Sequence, residues 1–246
     1  MIKIENITTV SEEQWNSIIM GCRNPLNSWE KSDSWIRESE CWCEFQIGEA
    51  DMNLMKRLAN AGSSDHRKFA RMIPVWMDVT APLYWWKEAD QYKVGTVTNS
   101  CSTMHKIQEK EFVRDDFSWE HLFNWMHDDE HGEDTSYWAV EEYGPDGSIF
   151  PGKRYPLDVL DEIIFALNYY RNEFIETKDK RFWWQMIQLL PSSYNQKRTW
   201  FLNYEVLWNI YQARKNHKLD EWRIFCETIV REIPYFAEIF GIEVQE

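Results

Sequence analysis

Three groups of residues have the types and spacing to do chemistry. His127-Asp128-Asp129-Glu130-His131 matches the pattern H-x-x-E-H. On a helix that spacing turns both imidazoles toward one zinc ion and leaves the Glu to activate water, as in a zinc hydrolase. Gly132 follows at once and the flanks are acidic, so the competing reading is a solvated loop. Arg214 lies three residues after Tyr211 and continues the apolar stripe of its helix. A guanidinium there is paired, faces a site, or satisfies the last carbonyls of the helix. Cys41 and Cys43, one residue apart on a strand face, read as core rather than as metal ligands. Walker, G-x-G-x-x-G and G-x-S-x-G patterns are absent.

Around Arg214 the residues form a longer pattern. Pro82 to Lys93 is followed by Asn99-Ser100-Cys101-Ser102-Thr103-Met104-His105. Farther on come Leu190-Pro191, Trp200, Asn203, Leu207, Asn209 and Arg214, then His217-Lys218-Leu219-Asp220-Glu221-Trp222-Arg223. Gly62-Ser63-Ser64-Asp65-His66 adds a weaker element. Over about two thirds of the chain this resembles the flavin-dependent thymidylate synthases. Those enzymes carry Arg-His-Arg-x-x-Ser, a Ser-x-Arg-Tyr ending, a Gly-His-x-Ser loop and His-Ala-Gln-x-Glu-Ile-Arg at these places.

The resemblance implies an α+β domain that assembles as a homotetramer, with active sites shared between subunits. It implies FAD as cofactor, a pyrimidine nucleotide as substrate, and methylenetetrahydrofolate and NADPH where one-carbon transfer is retained. Carried over by position, Asn203 and Asn209 contact the flavin and Arg214 holds the pyrimidine. Ser102, or Cys101 without a gap, takes the place of the site Ser. Glu88 stands for the nucleotide-binding Gln, and Gln91-Tyr92-Lys93 for Arg-His-Arg. Lys93 would meet phosphate or cofactor, Tyr92 would line the flavin wall and His217 the pocket.

The departures point one way. Met104 (or Thr103), Ile187 and Glu205 stand where the family has Arg. Arg forks bind a phosphate dianion bidentately, each charge-assisted bond being worth ~1.5–3 kcal/mol. Losing three costs ~5 kcal/mol or more, roughly 10³–10⁴-fold in affinity. The expectation is therefore a nucleotide- or flavin-binding protein, with redox or one-carbon chemistry on a pyrimidine if it is an enzyme. The alternative is a non-catalytic binding protein on the same scaffold.

Certain elements must position these residues. Met1–Ile7 reads as a short strand, and Ser11 followed by Gln14 as a helix start with Trp15, Ile18 and Ile19 on its buried face. Asn24–Asp33 reads as a loop, Cys41–Ile47 as a strand, and Glu49–Ala61 as a helix closed by Gly62. Phe69–Met77 reads as a buried strand or a helix, Leu83–Asp90 as a helix behind Pro82, and Val94–Thr98 as extended. Ser118 is placed to cap a helix through Met126. Asp128–Ser136 is acidic, and Tyr143–Pro156 holds three Gly and three Pro, so 127–156 is a candidate inserted segment. The C-terminal half carries three helical stripes: Leu160 to Phe174; Trp200, Tyr204, Leu207, Tyr211; and Trp222 to Ile233. The fold class expected is α+β, one domain over 1–246, with a mixed or antiparallel sheet and a mostly helical C-terminal half.

Composition narrows the partners. A formal net charge of −14 repels nucleic-acid polymers and anionic membranes. Five Cys, no apolar leader and no bilayer-length run suggest reduced thiols and the cytoplasm. Fifteen Trp, thirteen Phe and eleven Tyr imply a bulky core, an oligomer interface, or walls for a flat ring.

Overall fold

A computed structural model describes residues 1–38, 43–125 and 137–243. Among them the elements run β1 (Lys3–Thr9), α1 (Glu12–Arg23), β2 (Trp35–Glu38), β3 (Cys43–Gln46), α2 (Glu49–Ala59), β4 (Pro74–Pro82), α3 (Leu83–Ala89), β5 (Val97–Ser100), β6 (Trp138–Tyr143), β7 (Ile149–Arg154), α4 (Pro156–Thr177), α5 (Lys180–Leu189), β8 (Asn195–Asn203), α6 (Tyr204–Arg214), α7 (Asp220–Glu232) and α8 (Phe236–Phe240). Four strands form one sheet in the order β1-β4-β8-β5, and β2-β3 and β6-β7 are two-stranded. The β1–β4 and β5–β8 pairings are antiparallel, so the α+β class read from the sequence holds. The chain divides into two compact units.

The larger unit comprises Ile2–Thr80, Lys87–Ser100 and Lys197–Glu246. One face of β4 is buried through Val75, Met77 and Val79. Against this unit's core lie Trp15, Ile18 and Ile19 of α1 and Leu207 and Ile210 of α6. From α7 come Trp222, Phe225 and Ile229, the stripe expected from the sequence. The opposite sheet face is open. There Asp78 accepts from Thr199 Oγ1 at 2.6 Å and Asn6 Nδ2 at 2.9 Å, and Lys197 Nζ lies 3.2 Å away.

The start of α1 is set as the sequence suggested, with the Ser11 N–H donating to Gln14 Oε1 at 2.8 Å. Phe69–Met77 is corrected: a 3₁₀ segment, Ser64–Met72, ends before β4 begins at Pro74. Proline has no N–H to give a ladder, so it suits the first residue of a strand. Trp200 belongs to β8 rather than to a helix, because Asn203 caps α6 by accepting from Val206 N at 3.0 Å. Cys41 lies outside the described residues.

The smaller unit comprises Met1, Ala81–Trp86 and Cys101–Gln196. Leu157, Leu160 and Leu167 of α4 and Met186 of α5 pack with Ile107, Phe112 and Phe117. Ser118 does not cap a helix. Its N–H donates to Ser193 O at 2.8 Å and its hydroxyl to Asn195 Oδ1 at 3.0 Å, and residues 118–125 form no α-helix. Part of the Gly- and Pro-rich stretch is ordered as the β6–β7 hairpin. Gly147 at φ +80° makes its turn, where Asp146 Oδ1 accepts from Ser148 N at 3.1 Å. Pro151 is tolerated because a two-stranded sheet has only edge strands. No described helix is long and apolar enough to cross a membrane.

Candidate functional site

Three elements of the larger unit bring a charged and aromatic cluster together. The end of α3 gives Glu88, and the turn after it gives Tyr92. That turn is held by Gln91 N–H to Glu88 O (3.1 Å) and Tyr92 N–H to Ala89 O (3.0 Å). The last residue of α6 is Arg214, and α7 gives Trp222. Gly95 lets the turn close: its φ is +76°, and a Cβ there would lie 2.9 Å from Asn203 Nδ2.

At the centre, Arg214 Nη1 donates to Glu88 Oε2 at 2.7 Å and Arg214 Nε to the Tyr92 hydroxyl at 3.0 Å. The Trp222 indole N–H donates to the same Glu88 oxygen at 3.1 Å. The guanidinium carbon sits 4.9 Å from the Trp222 ring centroid and 5.8 Å from that of Tyr92, within cation–π reach. His217 Nδ1 accepts from Leu219 N at 3.2 Å, and Nε2 lies 3.7 Å from Glu88 Oε2. A neutral imidazole in this setting carries its proton on Nε2. Arg214 therefore meets one sequence alternative, pairing with a carboxylate.

Beside this cluster lies a cleft of about 170 Å³ lined by Ala89, Asp90, Tyr92, Lys93, Thr96, Thr98 and Trp200. Arginines of this unit are held by acids of the same chain. Arg198 Nη1 donates to Asp90 at 2.6 Å. Arg67 Nε, from the 3₁₀ segment, donates at 2.9 Å to Glu205, the residue standing where the resemblance has an Arg. Lys93 and Gln91 are exposed.

The structure thus joins Glu88, Tyr92, Arg214 and His217, and lines the neighbouring cleft with Lys93. The Oδ1 atom of Asn203 serves as a helix cap, and Asn209 is exposed on α6. Ser102 and Cys101 belong to the smaller unit. The Ser102 hydroxyl accepts from His105 N at 2.8 Å, and the Cys101 carbonyl accepts from Gln196 Nε2 at 2.9 Å. His127 and His131 lie outside the described residues, among which no group of three metal-ligating side chains gathers. The sequence reading places Trp222 in a buried stripe and in the His217–Arg223 segment but gives it no contact at the site. Its indole is buried and polar at one end, which signals a required partner.

Comparison with known proteins decides the fold. No family model and no curated protein matches the sequence. Two crystal structures of thymidylate synthase ThyX from Helicobacter pylori, with FAD and dUMP, do match in structure. One is 14% identical, covering 98% of this chain and 97% of its own, at a TM-score of 0.61. The other is 15% identical, covering 97% and 96%, at 0.60. The chain has a ThyX-like fold. In this chain Glu88 and Tyr92 lie against Arg214, and Gly95 lies against Asn203.

Both of those structures hold FAD. Tyr92 lines the cleft, while Trp200, which borders it, is buried with its ring against Phe225. The cleft's volume is below the ~300 Å³ at which ligand pockets begin, so this cleft alone does not enclose a dinucleotide. Among the described residues Lys93 is the one cation lining the cleft, too few for a pyrophosphate cradle.

Proposed function

We propose that this chain binds a flat heterocycle, a flavin or a pyrimidine nucleotide, beside Arg214. The observation that carries the reading is the clamp on Arg214. Glu88, Tyr92 and Trp222 fix a half-buried guanidinium, and Tyr92 also lines the neighbouring cleft. A cation pre-oriented in this way loses little freedom when a ligand arrives. The ThyX-like fold, known with FAD and dUMP bound, supports the same choice. When bound, a flavin supplies hydride transfer, and no side chain of the cluster is needed as a nucleophile. Arg214 would orient the ring, and Tyr92 would pack against it.

The small, open cleft favours a site completed by another copy of the chain, in keeping with a homotetramer. A second reading, binding without catalysis, is favoured by the internal pairing of Arg67, Arg198 and Arg214 with carboxylates. Both are tested by the absorbance spectrum of the purified protein and by its melting temperature with FAD, FMN, dUMP and deoxyuridine. Bound flavin, or a rise of several degrees with one of them, is expected. A colourless protein whose melting temperature none of them moves would sink the proposal. Turnover of a pyrimidine in the presence of methylenetetrahydrofolate and NADPH separates the enzyme from the binder.

A further inference from the structure

The charges around Arg214 bear on which molecule the site takes, a question that rests on the ring-binding reading above. All three contacts to Glu88 fall on Oε2: Arg214 at 2.7 Å, Trp222 at 3.1 Å and His217 at 3.7 Å. The side chain is 33% exposed, which leaves Oε1 as an acceptor for a ligand. Arg214 has committed Nε to Tyr92 and Nη1 to Glu88, so Nη2 is the donor it offers. A carboxylate oxygen beside a guanidinium N–H complements a ring edge with N–H next to C=O. Uncharged pyrimidines of the uracil type carry that edge.

A phosphate dianion meets the opposite situation. To bind it, a site needs cations free of other anions. Arg214 is neutralised by Glu88 and Arg198 by Asp90, and Asp90 itself lines the cleft. Among the described residues, Lys93 is the cleft's one cation outside an ion pair. We infer that the site selects an uncharged pyrimidine base or nucleoside over its 5′-monophosphate, and that Glu88 is the discriminating residue.

The test is isothermal titration of the purified protein with deoxyuridine and with dUMP, and of Glu88→Gln with both. The wild type is expected to bind deoxyuridine roughly tenfold tighter or more, since like charges facing each other oppose the monophosphate. Glu88→Gln is expected to raise dUMP affinity and bring the two within about threefold, because Arg214 is freed while an acceptor oxygen remains. Equal or tighter binding of dUMP by the wild type overturns the inference, and that comparison does not depend on the variant folding. An unchanged preference in a folded Glu88→Gln overturns the role of Glu88. If flavin binds and neither pyrimidine does, the selectivity falls while the ring-binding reading stands. If flavin also fails, both fall.

Discussion

Arg67 and Glu205 are 138 residues apart in sequence, yet the Arg67 Nε donates to Glu205 Oε2 at 2.9 Å, with both side chains less than a fifth exposed. Glu205 sits in the first turn of α6, where a negative charge is favoured by the helix dipole. Removing one partner strands the other in a poorly hydrated position. Glu205→Gln is expected to cost about 2 kcal/mol, below the range for fully buried pairs because water still reaches both groups. A double-mutant cycle with Arg67→Met, read by urea unfolding, should show coupling of at least about 1 kcal/mol. Additive losses would mean the pair is merely adjacent.

Asp51 has a larger role in the same unit. Its Oδ2 accepts from the hydroxyls of Ser34 (2.6 Å) and Ser32 (2.7 Å) and from the N–H groups of Asp33 and Ser34 (both 3.1 Å). Its Oδ1 accepts from Arg23 Nε at 2.5 Å. Burial alone raises this carboxyl, but the Ser34, Ser32 and Arg23 hydrogen bonds outweigh it and hold the pKa below the ordinary carboxylate value. Asp51→Asn keeps the shape and leaves the buried Arg23 without its anion. The expected loss is about 3–5 kcal/mol. A shift of the urea midpoint smaller than one of 1 kcal/mol, at unchanged slope, would refute that role.

What was legible in the sequence follows from the range of each interaction. The start of α1 and the buried stripe of α7 are written within one or two turns, so periodicity and a capping pair disclose them. Arg214 continuing an apolar stripe likewise announced a partner. That the partner is Glu88, 126 residues earlier, is a tertiary fact with no local trace. The β6–β7 hairpin was hidden because Gly and Pro normally interrupt strands, and a two-stranded ladder is where they are tolerated. The Ser118 hydroxyl could cap a helix or bind another loop, and only the fold chooses between them.

Asp78 gives the open sheet face a pH signature. Hydrogen bonds from Thr199 and Asn6, with Lys197 nearby, lower its pKa from 3.8 to about 2. A group whose folded pKa is depressed stabilises the fold above its ordinary pKa. That contribution is lost as pH falls from about 4 to about 2. The full shift of nearly two units corresponds to ~2.4 kcal/mol, and solvent screening at this face reduces it to about 1 kcal/mol. Asp78→Asn is therefore expected to melt earlier at pH 7 and to differ little from the wild type at pH 2. Parallel melting curves of the two proteins from pH 7 to pH 2 would contradict this.

Thiol reactivity tests the packing of two helices at once. Burial pushes the Cys22 thiol of α1 and the Cys226 thiol of α7 up to about 12, while Cys101 is exposed. The thiolate is the reactive form, so at pH 8 the two buried thiols are almost wholly protonated as well as shielded. Among these three, Cys101 alone is expected to be modified within minutes by a maleimide, with Cys22 and Cys226 following only when urea unfolds the chain. Peptide mass spectrometry assigns each site. Rapid labelling of Cys226 in the native protein would mean that α7 does not hold its buried face against the core. Trp222, on that same face, would then lack the fixed position from which it donates to Glu88.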